Sequence, residues 1–181
     1  MAQVIIVSNR LPVSVKKEEG KLLFSPSVGG LATGLSSYID DKNSLWIGWP
    51  GIASDELTTS DRAEIVEELA KHNCSPVFLT QRQLDDYYSG YSNTVLWPLF
   101  HELAPQDRPG AKRDRWYRAY REVNKLFADN IEVAAAREAQ IWVHDYQLLP
   151  AKLKGWQPAL RAVYERWSCQ AESCNGHYHL D

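Results

Sequence analysis

The stretch VIIVSNR, residues 4–10, decides the fold of this chain. Its first five residues form a short apolar run, whereas a strand with one face in water would alternate apolar and polar residues. A continuous run of this kind is typical of a central strand in a parallel sheet, buried on both faces. We therefore predict a strand over residues 4–8, with Asn9 and Arg10 following at its carboxyl end.

Further strands and helices alternate along the chain after this one. Strands are predicted over 44–49, 76–79 and 141–144, helices over 31–39, 58–72, 81–88 and 113–138, and a hairpin over 13–28. Ser60 and Asp61 are the predicted caps of the second helix, and Ser89-Gly90 is a predicted turn. Strands that alternate with helices predict an α/β domain with a largely parallel sheet.

The composition is that of an ordinary globular domain. The chain has 181 residues, of which 44% are hydrophobic and 24% charged, as expected for one domain. Its net charge of -3 gives no electrostatic case for a nucleic-acid partner, and no apolar run is long enough to span a membrane. The start of the chain has no signal-peptide pattern and the cysteines number three, so we expect a reduced, cytoplasmic chain.

The end of the chain departs from this pattern. Residues 151–181 are polar and lack a clear period, so we expect a divergent, poorly packed segment there, with 161–164 as a candidate strand. Thiolates and imidazoles bind zinc, and this segment contains them with the spacing Cys169-x4-Cys174-x2-His177-x-His179. The spacing matches no common zinc module, which favours a polar tail, and we predict no metal site.

Three polar features lie where parallel sheets collect ligands, at strand ends or at the start of a helix. Arg10 could direct two hydrogen bonds onto a phosphate, or it could form a surface ion pair. Gly29 and Gly30 would let the backbone approach an anion closely, although a simple turn explains them equally well. Asp145 could hold a sugar hydroxyl or act as a base, or it could cap a helix.

Aromatic residues are a fourth clue. The chain has seven tryptophans, and flat aromatic rings stack on sugar faces while Tyr and Trp also offer polar groups. We expect Trp116 and Trp142 to fill the core. The aromatic residues in or beside predicted loops are Trp46, Trp49, Tyr87, Tyr88, Tyr91 and Trp97. Rings at these positions could stack on a sugar beside the strand-end groups.

Five sequence motifs occur here in a fixed order. They are SNRLPV (8–13), SVGGLATGL (27–35), LWIGWPG (45–51), DDYYSGYSNTVLWPLFHE (85–102) and IWVHDYQLLP (141–150). In order and spacing they resemble the trehalose-6-phosphate synthase family, over about residues 3–150. The resemblance implies the Rossmann-like N-terminal half of a GT-B glycosyltransferase, a largely parallel sheet with flanking helices. It also implies transfer of glucose from UDP-glucose to glucose 6-phosphate with retained configuration, with no metal or other cofactor.

The resemblance assigns roles to individual residues. Around the acceptor it implies a guanidinium for the phosphate, aromatic rings that complete the pocket, and a catalytic carboxylate that faces the sugar. These are Arg10 for the phosphate, Tyr88, Trp97 and the neighbouring Trp46 for the rings, and Asp145 for the carboxylate. Gly29 and Gly30 would approach the diphosphate of the donor, with Gly30 the better match.

The chain departs from the family pattern beyond residue 150. Family members continue into a segment similar to FFLHIPFP, whose His lies at the donor sugar, whereas residues 161–168 here read RAVYERWS. That His and the donor-binding domain are absent, so we expect a truncated chain that makes no trehalose 6-phosphate alone. A separate C-terminal half is then a candidate partner. The alternatives are a non-catalytic sugar-phosphate-binding or regulatory module, and a degenerate product without function.

Overall fold

The computed structural model describes residues 2–27, 43–103 and 110–149. These residues form β1 (Ala2–Arg10), β2 (Val13–Glu18), β3 (Lys21–Pro26), β4 (Ser44–Trp49), α1 (Thr59–Ala70), β5 (Cys74–Pro76), α2 (Gln81–Gln83), a π-helix (Leu84–Leu96), α3 (Trp97–Phe100), α4 (Ala111–Ala134) and β6 (Ala135–Val143). Short 3₁₀ turns lie at Ser54–Glu56 and Tyr146–Leu148. Among the described helices, none is long and apolar enough to cross a bilayer.

A four-stranded sheet forms the centre of the fold. Its strand order is β5-β4-β1-β6, and each neighbouring pair is parallel. β1 lies inside the sheet, with Ile5 paired to Leu45 on one side and to Ile141 on the other. This position explains its continuous apolar run, since Ile5 and Val7 are fully buried and Ile6 nearly so. The predicted α/β fold class is confirmed.

The side chains of β1 and β4 alternate between two cores, one on each face of the sheet. Ile5 and Ile47 belong to the α4-side core, with residues of the π-helix and α4. Ile6 and Trp46 belong to the α1-side core, with residues of β2 and α1. Cys74 lies in this second core as a buried free thiol, and burial raises its pKa to about 12, so it stays protonated.

The predicted hairpin over 13–28 is confirmed by the antiparallel pair β2–β3. Its two-residue turn, Glu19-Gly20, has positive φ at both positions, 51° and 78°, which is the type I′ geometry that suits hairpins. The hairpin is attached to the start of α1, because Lys17 Nζ donates to Asp61 Oδ2 at 2.6 Å.

α1 confirms the second predicted helix, with a different cap. The Thr58 hydroxyl accepts from Asp61 N and the Asp61 carboxylate accepts from Thr58 N, which is a capping box. Ser60 lies inside the helix, so its prediction as a cap is wrong, while Asp61 does serve in the cap. Thr58 has the extended backbone that a cap needs, with ψ of 169°.

The predicted turn at Ser89-Gly90 is wrong, because the chain stays helical there. Hydroxyls of the π-helix donate to carbonyls five residues earlier, Ser92 to Tyr87 at 2.7 Å and Thr94 to Ser89 at 2.9 Å. A Cβ on Gly90 would lie 2.7 Å from the Trp116 ring. This glycine therefore serves close helix packing, which the local turn signal did not reveal.

Other boundaries differ from prediction where sheet pairing outweighs local preference. The residues AREA before Ile141 favour a helix, yet β6 starts at Ala135, because Ala135 pairs with Ala2 and Gln140 with Val4 of β1. The last predicted helix therefore ends at Ala134, not at residue 138. β5 occupies 74–76 where 76–79 was predicted. The predicted helix over 31–39 and the candidate strand over 161–164 lie outside the described residues.

Candidate functional site

An open cleft lies at the carboxyl ends of β1 and β4, beside the start of the π-helix. Its volume is about 230 Å³. Arg10, Trp49, Gly51, Ala53, Glu56, Gln81, Leu84, Asp85, Tyr88 and Ser89 line it. We refer to it as the Arg10 cleft. Its position is the one where parallel α/β sheets bind ligands.

Arg10 is the exposed last residue of β1. Its guanidinium carbon lies 4.8 Å from the centre of the Trp49 ring, which is a cation–π contact. Within the described part of the chain Arg10 forms no salt bridge, so the geometry does not support the surface ion pair that was the alternative to phosphate binding. The arrangement suits an oxyanion such as phosphate, which can accept two hydrogen bonds from the guanidinium.

The two tryptophans of β4 lie on opposite faces of the sheet. Trp49 shares the face of Ile47 and lines the cleft, whereas Trp46 is only 3% exposed and packs in the α1-side core. Trp46 Nε1 donates to Ser8 Oγ at 2.7 Å, which satisfies its polar atom inside the fold. The expectation that Trp46 lies beside the acceptor rings is therefore corrected. Strand alternation was the signal that could have selected Trp49 instead.

Asp145 is attached to β1 by its side chain. Asn9 N donates to Asp145 Oδ2 at 2.8 Å, and Tyr87 Oη donates to Asn9 Oδ1 at 2.9 Å. Tyr87 is fully buried, and burial, with the nearby Tyr120 and Asp145, raises its pKa well above the ordinary value. The phenol therefore stays protonated and keeps donating. Tyr87 is one of the aromatic residues that the sequence placed in or beside a loop, whereas it lies in the core, and no role in the site was predicted for Asn9.

The backbone of Asp145 is strained. Its φ of 72° and ψ of 135° form a conformation that non-glycine residues rarely adopt. Backbone hydrogen bonds hold both sides of it, from His144 N to Val7 O and from Leu148 N to Asp145 O. The residue precedes a 3₁₀ turn, but its carboxylate makes no capping hydrogen bond, so the alternative of a helix cap is not supported. The exposed carboxylate is instead held at the end of β1.

Tyrosines extend the site from Asp145 towards the π-helix. Tyr146 Oη donates to Asn93 Oδ1, and Tyr120 Oη donates to the Tyr146 carbonyl, both at 2.8 Å. Burial raises the pKa of Tyr146, and the nearby Tyr88 and Asp145 raise it further. Tyr88 and Asp145 therefore both lie close enough to Tyr146 to act on its pKa, and Tyr88 lines the Arg10 cleft.

The remaining predicted site residues are not gathered here. Trp97 lies on α3, is 41% exposed, stacks on His101 at 4.1 Å between ring centres, and does not line the Arg10 cleft. Gly29 and Gly30 lie outside the described residues. So does the Cys169–His179 segment, and the described ranges contain no group of three potential metal ligands.

Comparisons with known proteins support the resemblance to a glycosyltransferase. The model of Glycosyltransferase family 20 matches residues 2–158. A relative from Kluyveromyces lactis, the "Alpha,alpha-trehalose-phosphate synthase [UDP-forming] 56 kDa subunit", is 42% identical over 151 residues, which are 81% of this chain and 29% of the relative.

Two solved structures are similar over most of the chain. A trehalose-phosphate synthase (UDP-forming) from Burkholderia xenovorans, in complex with glucose-6-phosphate, has a TM-score of 0.56 and 28% identity, covering 90% of this chain and 31% of its own. An Escherichia coli structure bound with UDP-2-fluoro glucose has a TM-score of 0.58 and 28% identity, with coverages of 83% and 30%. The chain spans about 30% of the length of these proteins. Because the family model covers most of the sequence, this chain belongs to glycosyltransferase family 20.

Proposed function

We propose that this chain provides the acceptor side of an enzyme that transfers glucose from UDP-glucose to glucose 6-phosphate, giving trehalose 6-phosphate. Family membership and the ligands named for the two solved relatives support this reaction. The observation that carries the proposal is the juxtaposition at the end of β1. The Arg10 guanidinium, which forms no salt bridge with any described residue, lies over Trp49, and the adjacent Asn9 holds the Asp145 carboxylate.

In this proposal the three groups act on different parts of the acceptor. The Arg10 guanidinium binds the phosphate with two parallel hydrogen bonds. Tyr88 and Trp49 give the sugar an aromatic wall. Asp145 accepts a hydrogen bond from a sugar hydroxyl and so orients the nucleophile, a role that needs a fixed carboxylate. The hydrogen bond from Asn9 N supplies that fixation.

The donor side is proposed from sequence alone. Gly29 and Gly30 would let the backbone approach the diphosphate of UDP-glucose. On the acceptor side, Trp97 is likewise proposed from sequence alone. The chain spans about 30% of the matched enzymes, so most donor contacts belong to another part of such an enzyme. The isolated chain is therefore expected to bind the acceptor weakly and to show no turnover, because half of a cleft leaves the ligand in water.

Calorimetric titration with glucose 6-phosphate tests the acceptor site. We expect saturable binding to the chain and a loss of at least about tenfold in affinity in Arg10→Ala, since hydrogen bonds to charged groups contribute roughly 1.5–3 kcal/mol. Lys125→Ala is the matched control, because this exposed lysine of α4 pairs with Asp129 and lies outside the cleft. Equal binding by wild type and Arg10→Ala, or no binding at about 10 mM ligand, would refute the acceptor assignment.

A coupled assay of UDP release separates an enzyme part from a binding module. The isolated chain with both substrates should release no UDP above background, and turnover by it would contradict the proposed division of the site. If the chain binds glucose 6-phosphate but a supplied donor-binding half never restores turnover, the regulatory module becomes the better assignment. Restored turnover that is lost in Asp145→Asn would support the catalytic role of this carboxylate.

A further inference from the structure

A second, larger groove lies between the start of the π-helix and α4. Its volume is about 530 Å³, within the usual range for sites that bind small molecules. It is lined by Thr80, Arg82, Gln83, Asp86, Arg115, Arg118, Ala119 and Glu122, none of which lines the Arg10 cleft. We refer to it as the arginine groove. Residues of the same helical segment, 81–89, alternate between the two, so the grooves lie on different sides of it.

One arginine of this groove is fixed by a buried partner. Arg115 donates from Nε at 3.1 Å and from Nη2 at 2.8 Å to the same oxygen, Asp86 Oδ1. Asp86 is 5% exposed. Its buried negative charge is neutralised by Arg115, and the loss of that partner would leave a buried charge unpaired. The guanidinium of Arg115 is therefore held rigidly at the groove wall.

The other two arginines differ from Arg115 within the described ranges. Arg82 and Arg118 are exposed, and neither forms a salt bridge with any residue in the described ranges. The remaining carboxylate of the lining, Glu122, lies one helical turn beyond Arg118 on α4 and makes no ion pair with any described residue. The groove is thus lined by one rigid guanidinium and by two that have no ion-pair partner in the described ranges, and such a set attracts a ligand with more than one negative charge.

The charges of α4 are unevenly distributed along the helix. Residues 111–121 contain five basic residues and one acidic one, whereas 122–134 contain one basic and three acidic. A helix dipole favours the opposite arrangement, with acidic residues near the N-terminus. Contacts within the fold account for three of these basic residues, because Arg115 pairs with Asp86, Lys112 lies over the Trp116 ring and Arg121 over the Tyr117 ring. Arg118 has no such contact among the described residues, and it lines the groove.

We propose that the arginine groove binds a small molecule carrying two phosphate groups, separately from the Arg10 cleft. The Arg82 and Arg118 guanidinium groups each bind one phosphate with paired hydrogen bonds, and the free N–H groups of Arg115 face the ligand between them. Glu122 sets the limit of the site, because it repels an anion from the far end of the groove. This assignment does not depend on the proposed acceptor or on turnover.

Titration with pyrophosphate tests the groove, using the full chain with Arg10→Ala so that the first cleft contributes nothing. We expect 1:1 saturable binding at about 0.15 M salt, weakened at least about tenfold by Arg82→Gln combined with Arg118→Gln. Lys125→Gln removes one α4 charge outside the groove and should leave the affinity unchanged. Inorganic phosphate, which reaches only one free arginine, should bind at least about tenfold more weakly than pyrophosphate.

Three results would overturn the assignment. They are an affinity that the double substitution leaves unchanged, an equal loss in Lys125→Gln, and no saturation at about 10 mM pyrophosphate. Should the double variant fail to fold by circular dichroism, the single Arg118→Gln variant replaces it, with a smaller but measurable loss expected. The arginines are exposed, so their removal leaves no buried charge unpaired.

Discussion

α1 and the π-helix pack on opposite faces of one sheet, and they are built by different rules. α1 begins at a capping box, and its buried residues are the apolar Ile65 and Leu69. The π-helix buries polar groups, among them Asp86 and Ser92, together with a tyrosine hydroxyl. Each of these is hydrogen-bonded, Asp86 to Arg115 and Ser92 to the Tyr87 carbonyl.

The difference shows that the π-helix holds polar side chains in defined positions, whereas α1 only packs on the sheet. A regular amphipathic helix needs little beyond an apolar stripe and a cap. The π-helix instead places Tyr88 in one groove, Asp86 in another and Tyr87 on Asn9. A local departure from α-helical spacing lets one segment supply side chains to three surroundings, and such irregularity is frequent at functional sites.

The hardest test of this comparison is Gly90→Ala in the π-helix. In an open helix the change would stabilise the fold by up to about 1 kcal/mol. Here the new Cβ would lie 2.7 Å from the Trp116 ring, so we expect a net loss of about 3 kcal/mol. Urea denaturation measures it. Gly110→Ala, where no described residue lies within 4 Å of the new Cβ, should cost about 1 kcal/mol or less, and equal losses at both positions would refute the packing argument.

Tyr87→Phe tests the buried polar network. Removing the hydroxyl leaves Asn9 Oδ1 without its donor in the interior, so we expect a loss of about 2 kcal/mol in unfolding free energy. The affinity for glucose 6-phosphate should fall as well, because Asn9 holds Asp145. Tyr117→Phe is the control, since no hydrogen bond of that hydroxyl occurs among the described residues, and it should change stability by no more than about 0.5 kcal/mol. A Tyr87→Phe protein as stable as wild type would contradict the network.

On the other face, Thr58→Ala should cost about 1 kcal/mol, because it removes the side chain that accepts from Asp61 N at the start of α1. Ser60→Ala lies within the same helix and should be neutral or slightly stabilising, since alanine is the better helix former. The pair is compared by urea denaturation. A larger loss in Ser60→Ala would return the cap to the position that the sequence first indicated.

The smallest expected effect is a pH dependence at the hairpin. The hydrogen bond from Lys17, with those from Thr58, lowers the pKa of Asp61 from 3.8 to about 2. A lowered pKa stabilises the fold above pH 3.8, and this contribution is lost as pH falls to about 2. Lys17→Met should therefore be less stable than wild type near neutral pH, and the difference in unfolding free energy should disappear between about pH 4 and pH 2. For Lys21→Met, on the same hairpin, the difference in unfolding free energy from wild type should stay constant across that range.

Sequence alone predicted the parts of this molecule whose signal is local. The apolar runs of β1 and β4, the hairpin turn and α1 are each specified by consecutive residues. So is the position of Arg10 and Asp145, because a polar residue that follows a buried strand must lie at the sheet edge. Those two residues were proposed from sequence, and both lie at the carboxyl end of β1 or beside it.

What sequence could not provide depends on partners distant in the chain. Ser89-Gly90 has the chemistry of a turn, and the Trp116 ring, from a helix that follows, explains why a glycine lies within this helical segment. The alanine-rich start of β6 favours a helix until it pairs with β1. That a residue is a tryptophan does not show which face of β4 its side chain occupies. Trp46 was therefore expected in the site, although strand alternation places it on the opposite face from Trp49.

The strained backbone of Asp145 has a consequence for how this position is kept. With φ of 72° and ψ of 135°, glycine is the residue that the backbone itself prefers there. A glycine would relieve the strain but lose the hydrogen bond from Asn9 N, and in the proposed site it would also remove the carboxylate that binds the acceptor. The strain is therefore kept at a position whose side chain holds the end of β1. Position 145 thus combines a backbone that lowers the stability of the fold with a side chain that the proposed function requires.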